Sequence, residues 1–416
     1  MSIVYRVVAG IDVHKKMLAV VVRRERQGPG EAEYEKRKFG ATRSEIEHLA
    51  AWLQQQQVEE VVMESTAQYW RPVWYGLEAH FQLHLSHPLK TKAPRGRKWD
   101  FRDAQRLSDR WCSGDLEESF VPSAEQRSWR WLTRTRVDLK DKIVVVRNQV
   151  EGLLEQGGFK VTAVASDVFG VSGWAMLERI AAGETDVSIL VEEARAALKK
   201  KKAELREALA GHLDPIYQFL LKQYLDQVRL LRRQIGEINE QLAIAMKDHT
   251  TALCRLCQIP GVQMAAAQEL LAEIGPRAAA FPSAEQFASW VGACPGCTES
   301  AGVCYSHRSA KGNRYLRRLL AQIAWAAIHV KETFFADLFR RLLPKIEGKG
   351  AAWAVAHRIG KVIWLVLHKQ VAYEERGPVA PTPQTLMRKL HRLTKQFAAQ
   401  GIDIGSLLAP QVVPAA

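Results

Sequence analysis

The sequence predicts an α/β domain at the N-terminus, a helical middle of coiled-coil character and a mainly α C-terminal part. Three observations predict this. Short, β-rich apolar runs occur at residues 4–11, 17–23 and 60–64. From residue 128 onward the pattern turns helical, with apolar residues recurring three and four apart. With 416 residues, 47% hydrophobic and 25% charged, the chain can bury two or three separate cores.

Residues 4–11 read as a buried strand, and 17–23 follow after a gap short enough for a hairpin. Gln27, Gly28, Pro29 and Gly30 form a turn before a polar edge strand at 34–39. Thr42 and Glu45 have the spacing of a capping box. The helix they open runs to about residue 57 and buries Ile46, Leu49 and Leu53. A strand at 60–64, a helix at 68–80 and a short strand near 83–85 follow. A loop rich in Lys, Arg, Gly and Pro spans 87–98, and a helix begins near Asp100. Three antiparallel strands, then helix, strand, helix, strand and helix, is the order of a ribonuclease-H-like fold. In that fold the first and fourth strands are neighbours.

Residues 128–155 read as a basic helix, and 157–185 as a Gly-rich stretch to which no element is assigned. A charged helix is expected over 187–213, carrying Lys199, Lys200, Lys201 and Lys202. Leu221, Leu225, Val228, Leu231, Ile235, Ile238, Leu242 and Ala245 then follow mostly alternating spacings of three and four, a coiled-coil seam that reads as one helix of a bundle or, the preferred reading, as a contact between two copies. Residues 253–275 read as helix, Ile-Pro-Gly-Val turn and helix, a hairpin that can offer amides to a phosphate. A helix at 281–292, a polar loop at 293–313 and apolar helices at 314–330 and 351–369 complete the pass. The expected domains are 1–155, 156–250 and 251–372, with a tail at 373–416.

A net charge of +14 favours a polyanionic partner, through phosphate contacts and counterion release. The opening residues lack the layout of a signal peptide, and no uninterrupted apolar run reaches the roughly 18 residues of a membrane span. The expected location is the cytoplasm, with no membrane partner. There, six cysteines are expected as thiols or metal ligands rather than disulfides.

Four acids carry the chemistry. Asp12 and Glu64 sit inside apolar strand patterns, where an unpaired carboxylate is costly. Asp100 and Asp103 are three apart and share one face of a helix. Four carboxylates meeting at one point form an oxygen cage for Mg²⁺ or Mn²⁺. In a basic protein this suggests metal-dependent cutting of a nucleic-acid backbone. Taken singly, Asp100 and Asp103 also read as surface carboxylates paired with Arg97, Lys98 and Arg102. A second candidate is Ser300, in a loop of small residues ahead of Arg308, Lys311, Asn313, Arg314, Arg317 and Arg318. A serine there can attack phosphorus while cations neutralise the developing charge. From these residues alone an ordinary loop serine is the better reading. The basic residues Lys15, Lys90, Lys92, Arg95, Arg97 and Lys98 are candidate phosphate contacts beside the acids.

The set Gly10-Ile11-Asp12-Val13-His14-Lys15, Met63-Glu64-Ser65-Thr66, Asp100-Phe101-Arg102-Asp103-Ala104 and Ile-Pro-Gly-Val, Ser300, Lys311-Gly312-Asn313 and Leu316-Arg317, in this order, resembles the insertion-sequence-110 family. These are DEDD transposases related to the Piv DNA invertase. The resemblance spans about residues 4–150 and 250–370. It implies a RuvC-like N-terminal domain, named for the Holliday-junction resolvase, and a C-terminal transposase domain. It implies Asp12, Glu64, Asp100 and Asp103 as metal ligands and Ser300 as nucleophile; because Ala301 stands where the family has glycine after the serine, Ser306 and Ser309 are the alternative serines. It further implies strand exchange on donor and target DNA, a non-coding bridge RNA as guide, and a dimer or tetramer whose metal site is completed by another subunit's serine.

Two features lie outside the resemblance. Cys254 and Cys257, with Cys294 and Cys297, form two Cys-x-x-Cys pairs near Cys304 and His307. A structural zinc is one reading, and buried thiols are the preferred one. Tyr69, Trp70, Trp74, Trp99, Trp129 and Trp131 can stack on bases or pack in a core. The competing functions are a RuvC-like endonuclease that hydrolyses junctions without a covalent step, and a binding-only protein.

Overall fold

The computed structural model describes residues 7–25, 32–65, 67–86, 100–294, 309, 311–378 and a few positions between 387 and 395, with the backbone alone of 298–300 and 303–306. The chain forms two compact units, Met1–Ser123 and Ala124–Ala416.

The first unit is α/β. Strands β1 (Val7–Val13), β2 (Met17–Glu25) and β3 (Ala32–Gly40) precede helix α1 (Arg43–Gln55), strand β4 (Glu60–Glu64), helix α2 (Trp70–Leu77), strand β5 (Gln82–Ser86) and helix α3 (Asp100–Cys112). The sheet order is β3-β2-β1-β4-β5, with β1 antiparallel to β2 and parallel to β4. This is the strand order expected from the sequence, with the first and fourth strands adjacent. The period-2 alternation of strands divides the work of each residue. Ala9, Ile11, Val13, Leu18, Val20, Val61 and Met63 form one core with Ile46, Leu49 and Leu53 of α1 and Val73 and Leu77 of α2. Val8 and Val62 pack with Leu107 of α3 in a second core. The alternation assigns Asp12 and Glu64 to the α3 side.

Thr42 is the N-cap residue of α1, as expected, but its side chain makes no capping bond. Glu45 instead accepts from the backbone amide of Gly40 at 2.9 Å, tying the helix to the end of β3. The capping-box spacing is met, and the tertiary contact takes the carboxylate.

The second unit is mainly helical. It opens with α4 (Ala124–Gln156). Short helices α5 (Val161–Val164), α6 (Val171–Ala181), α7 (Val187–Glu192) and α8 (Lys202–Ala208) lead to the long α9 (Pro215–Ala245). The single helix expected over 187–213 is thus broken, with a 3₁₀ turn at Ala196–Lys201. Breaking it lets Leu190, Val191, Leu205 and Leu209 enter one core with Val150, Leu154, Leu221 and Leu225. The interruption falls at Ala196, whose φ of 48° is left-handed and cannot continue an α-helix.

The seam of α9 is filled within the chain. Trp129 Nε1 donates to Ala245 O at 3.1 Å, and Gln156 Nε2 to Tyr217 Oη at 3.0 Å, so α4 and α9 run antiparallel. Val228 and Leu231 pack on Leu139 and Val146 of α4. The knobs expected to meet a second copy meet α4 and the α5–α8 insertion.

The remainder comprises α10 (Thr250–Cys257), α11 (Met264–Ile274), α12 (Ala284–Val291), the hairpin β6 (Thr298–Ser300) and β7 (Val303–Ser306), α13 (Arg314–Ala327), α14 (Phe334–Leu342) and α15 (Gly348–Lys369). The hairpin lies in the expected polar loop. By length and composition α15 is apolar enough to cross a membrane. Its residues Val355, Ile359, Ile363 and Leu367 are buried in the core with Leu256, Leu271, Phe287 and Leu320.

Candidate metal centre

The centre stands at the carboxyl ends of β1 and β4. Their parallel register sets Ile11 against Met63, so Asp12 and Glu64, each one step further, come level on the same face. Helix α3 packs on that face. Tyr34 Oη donates to Asp109 at 2.7 Å, Arg23 Nε lies 3.3 Å from Asp109, and Trp111 Nε1 donates to Glu60. Gly10, two residues before Asp12, lies under the carbonyl of Ala104, where a Cβ would overlap that oxygen. The close approach brings the first turn of α3, with Asp100 and Asp103, to the end of β1.

Asp12 feels the charges of the other three acids. Burial raises the pKa of the Asp12 carboxyl above its ordinary range. His14 opposes the shift, and the charges of Asp103, Asp100 and Glu64 add to it. The Asp12 side chain is 15% exposed, while Asp100, Asp103 and Glu64 are half-buried. His14 Nε2 lies 3.1 Å from Asp12 Oδ2 and 3.6 Å from Asp100 Oδ1. Lys38 Nζ lies 3.8 Å from Asp100 Oδ2, and Arg106 pairs with Asp103. One donor atom each from Asp12, His14 and Asp100 falls within 4.8 Å of the others. Oxygen donors that repel one another around an open face fit a hard divalent cation, whose charge removes the repulsion. His14 and Lys38 join the acids here without a strong sequence signal; the one usable sign is the spacing of two between Asp12 and His14, just beyond a strand end.

In the second unit, Ser300 ends β6 and pairs in register with Val303 across the hairpin. Ser309 Oγ accepts from Arg317 Nη2 at 3.0 Å. Arg317 also donates to Gly292 O and lies 4.7 Å over the Trp353 ring. Asn313 caps α13, accepting from the amides of Tyr315 and Leu316, and donates to Glu273 at 2.9 Å. Glu273, 3% exposed, also receives both arms of Arg134, at 2.8 and 3.0 Å. Arg318 lies 3.6 Å from Asp141 and 3.8 Å from Glu269. Three of the residues expected at nucleic acid, Asn313, Arg317 and Arg318, are therefore engaged inside the fold. Lys15, Lys311 and Arg314 are exposed. Lys90, Lys92, Arg95, Arg97, Lys98, Trp99, Cys297, His307, Arg308 and the side chains of Ser300, Cys304 and Ser306 lie outside the described residues.

Cys254 and Cys257 are on α10 and Cys294 follows α12, all as free thiols. Burial, then the neighbouring Cys254, raises the pKa of Cys257. Trp129 is buried with its edge on His249, whereas Trp131 is 64% exposed. Trp70 and Trp74 pack edge to face against the first core.

Comparison with known proteins bears on these sites. The "Transposase IS116/IS110/IS902 family" model matches residues 254–338, and the IS110 DEDD "Transposase" model matches residues 9–158. A "Probable family 20 transposase" of Pseudomonas aeruginosa is 24% identical over 326 residues, covering 75% of this chain and 85% of that protein. RuvC of Thermus thermophilus aligns over 27% of this chain and 99% of its own, at 15% identity and a TM-score of 0.22. The T. thermophilus RuvC complex with a Holliday junction substrate gives the same coverage at 14% identity and a TM-score of 0.21. The two family matches together take in more than half of the chain, at both of its candidate sites: the chain belongs to the IS110 family of transposases.

Proposed function

We propose that the protein excises and inserts its own DNA element by divalent-metal-dependent strand exchange through a phosphoserine intermediate. The observation that supports this reading is the cluster of Asp12 with Asp100 beside His14, with Asp103 and Glu64 near enough for their charges to act on Asp12. Bound there, Mg²⁺ or Mn²⁺ would supply charge stabilisation to the scissile phosphate. Asp12 and Glu64 hold the oxygen cage from the rigid sheet, and Asp100 and Asp103 close it from α3. Ser300 Oγ attacks phosphorus, an O–P bond forms and the bond to the 3′-oxygen breaks. The serine proton ends on that oxygen, leaving a free 3′-hydroxyl. Attack by an exchanged 3′-hydroxyl reverses these steps and frees the serine.

Donor and target DNA are the substrates, a bridge RNA from the element pairs with both, and the active form is a dimer or tetramer acting in the cytoplasm. Lys15, Lys311 and Arg314 contact phosphates. The Arg317 contact to Ser309 keeps Ser309 as the alternative nucleophile.

The test is capture of detergent-stable protein–DNA adducts from cells carrying the protein with its element. Adducts are expected from wild type and Ser309→Ala but not from Ser300→Ala or Asp12→Ala. Adducts lost only in Ser309→Ala would move the nucleophile. Site-specific breaks without adducts, persisting in Ser300→Ala, would replace the reading by a RuvC-like hydrolytic endonuclease.

A further inference from the structure

We infer that His14 is itself a ligand of the centre, and that its imidazole biases the site toward Mn²⁺ over Mg²⁺. The inference rests on the reading of the four acids as a metal centre. Ligands held about 2.1 Å from one ion stand roughly 3–4 Å apart. The Nε2 atom of His14, at 3.1 Å from Asp12 Oδ2 and 3.6 Å from Asp100 Oδ1, is spaced in that way. The position is built by the fold. β1 and β2 stay paired up to Val13 and Leu18, and the His14 amide closes the turn by donating to Met17 O at 3.0 Å. The side chain is 47% exposed, so core packing does not explain its direction toward the acids.

The alternative role is that of a counter-charge. Lys38 of β3, at 3.8 Å, already stands beside Asp100, and Arg106 pairs with Asp103. What His14 adds to an oxygen cage is a nitrogen donor. Mg²⁺ takes oxygen ligands and keeps its waters, whereas a first-row transition ion, Mn²⁺ included, accepts an imidazole nitrogen more readily than Mg²⁺ does. A site with one nitrogen among carboxylates therefore gains more for Mn²⁺ than for Mg²⁺.

The test uses the full chain without nucleic acid and Mn²⁺ as the probe. Electron paramagnetic resonance counts bound Mn²⁺, its pulsed form detects a directly coordinated ¹⁴N, and competition gives the Mg²⁺ affinity. Wild type is expected to bind Mn²⁺ with ¹⁴N coupling. Loss of a partner that merely orients a metal ligand costs about 10–100-fold in affinity, so His14→Asn should weaken Mn²⁺ by at least about tenfold. It should weaken Mg²⁺ less and abolish the ¹⁴N signal. His14→Asp should recover binding, with the preference moved toward Mg²⁺ and no ¹⁴N signal. Mn²⁺ bound without ¹⁴N coupling, coupling that survives in His14→Asn, or an unchanged metal preference would overturn the assignment and leave the acid centre standing. Absence of Mn²⁺ binding in wild type would overturn the centre itself, and His14 with it.

Discussion

Gly10 and Ala104 are the pair that sets the distance between the sheet and α3. The α-carbon of Gly10 sits beneath the Ala104 carbonyl, and any side chain there meets that oxygen. Because Asp12 is two residues along β1 and Asp100 and Asp103 precede Ala104 on α3, this packing contact controls the spacing of the acids. Gly10→Ala is expected to destabilise the protein by about 1–3 kcal/mol through overpacking. It should also reduce cleavage beyond what the lost stability explains. Denaturant unfolding and a cleavage assay on one preparation check both.

The raised pKa of Asp12 fixes a pH dependence. A carboxyl with a folded pKa above its unfolded value favours folding below that unfolded value, near 3.8, and loses the contribution as pH rises through the folded pKa. At neutral pH without metal, ionised Asp12 therefore costs stability. Asp12→Asn should raise the melting temperature of the metal-free protein at pH 7. The difference should shrink toward pH 4 and reverse when divalent metal is added to both proteins. Thermal unfolding across pH, with and without Mn²⁺, measures it.

Glu273 is shared by Arg130, Arg134 and Asn313, and so joins α4, α11 and the start of α13. Burial, against the pull of Glu273, lowers the pKa of the Arg130 guanidinium to about 10. Removing the carboxylate leaves two guanidiniums around an apolar core. Glu273→Leu should cost about 3–5 kcal/mol, the scale of a buried pair broken from one side. Chemical denaturation is the check, and a loss within experimental error would show that the arginines find other partners.

Arg317 holds the start and the end of the serine loop through Gly292 O and Ser309 Oγ. Arg317→Ala is expected to lower the yield of covalent adduct while leaving Mn²⁺ binding unchanged. The stability cost should be about 1–3 kcal/mol, from unpaired buried groups. Equal losses of adduct and of metal binding would point to global unfolding instead.

Much of the first unit was legible because strand period 2 and helix period 3.6 coincide there with burial. The strand at 60–64 and the helix at Asp100 were read in place. Asp12 and Glu64 stood out because a carboxylate in an apolar strand has no cheap explanation. The missing part was tertiary. Whether Glu45 caps its own helix or reaches to Gly40 depends on where β3 ends. Whether the α9 seam meets a second copy or α4 depends on what folds back onto it, and heptad spacing is the same in both cases. The break in the helix over 187–213 falls at Ala196, whose left-handed φ of 48° no residue preference in this Ala- and Lys-rich run signals. That Asn313 pairs with Glu273 and Arg318 lies near Glu269 could not be read from the sequence, because the partners are about 40 and 50 residues away.

The most direct test of the metal centre is cleavage of a plasmid carrying the element's ends by wild type and by Asp12→Asn, Glu64→Gln, Asp100→Asn and Asp103→Asn. Mg²⁺, Mn²⁺ and a chelator would each be tried. Each substitution removes one preorganised group and should lower the rate by at least about 10²–10³-fold, with wild type silent in chelator. Wild-type cleavage in chelator, or near-normal rates when Asp12 or Glu64 is neutralised, would contradict a four-carboxylate metal centre.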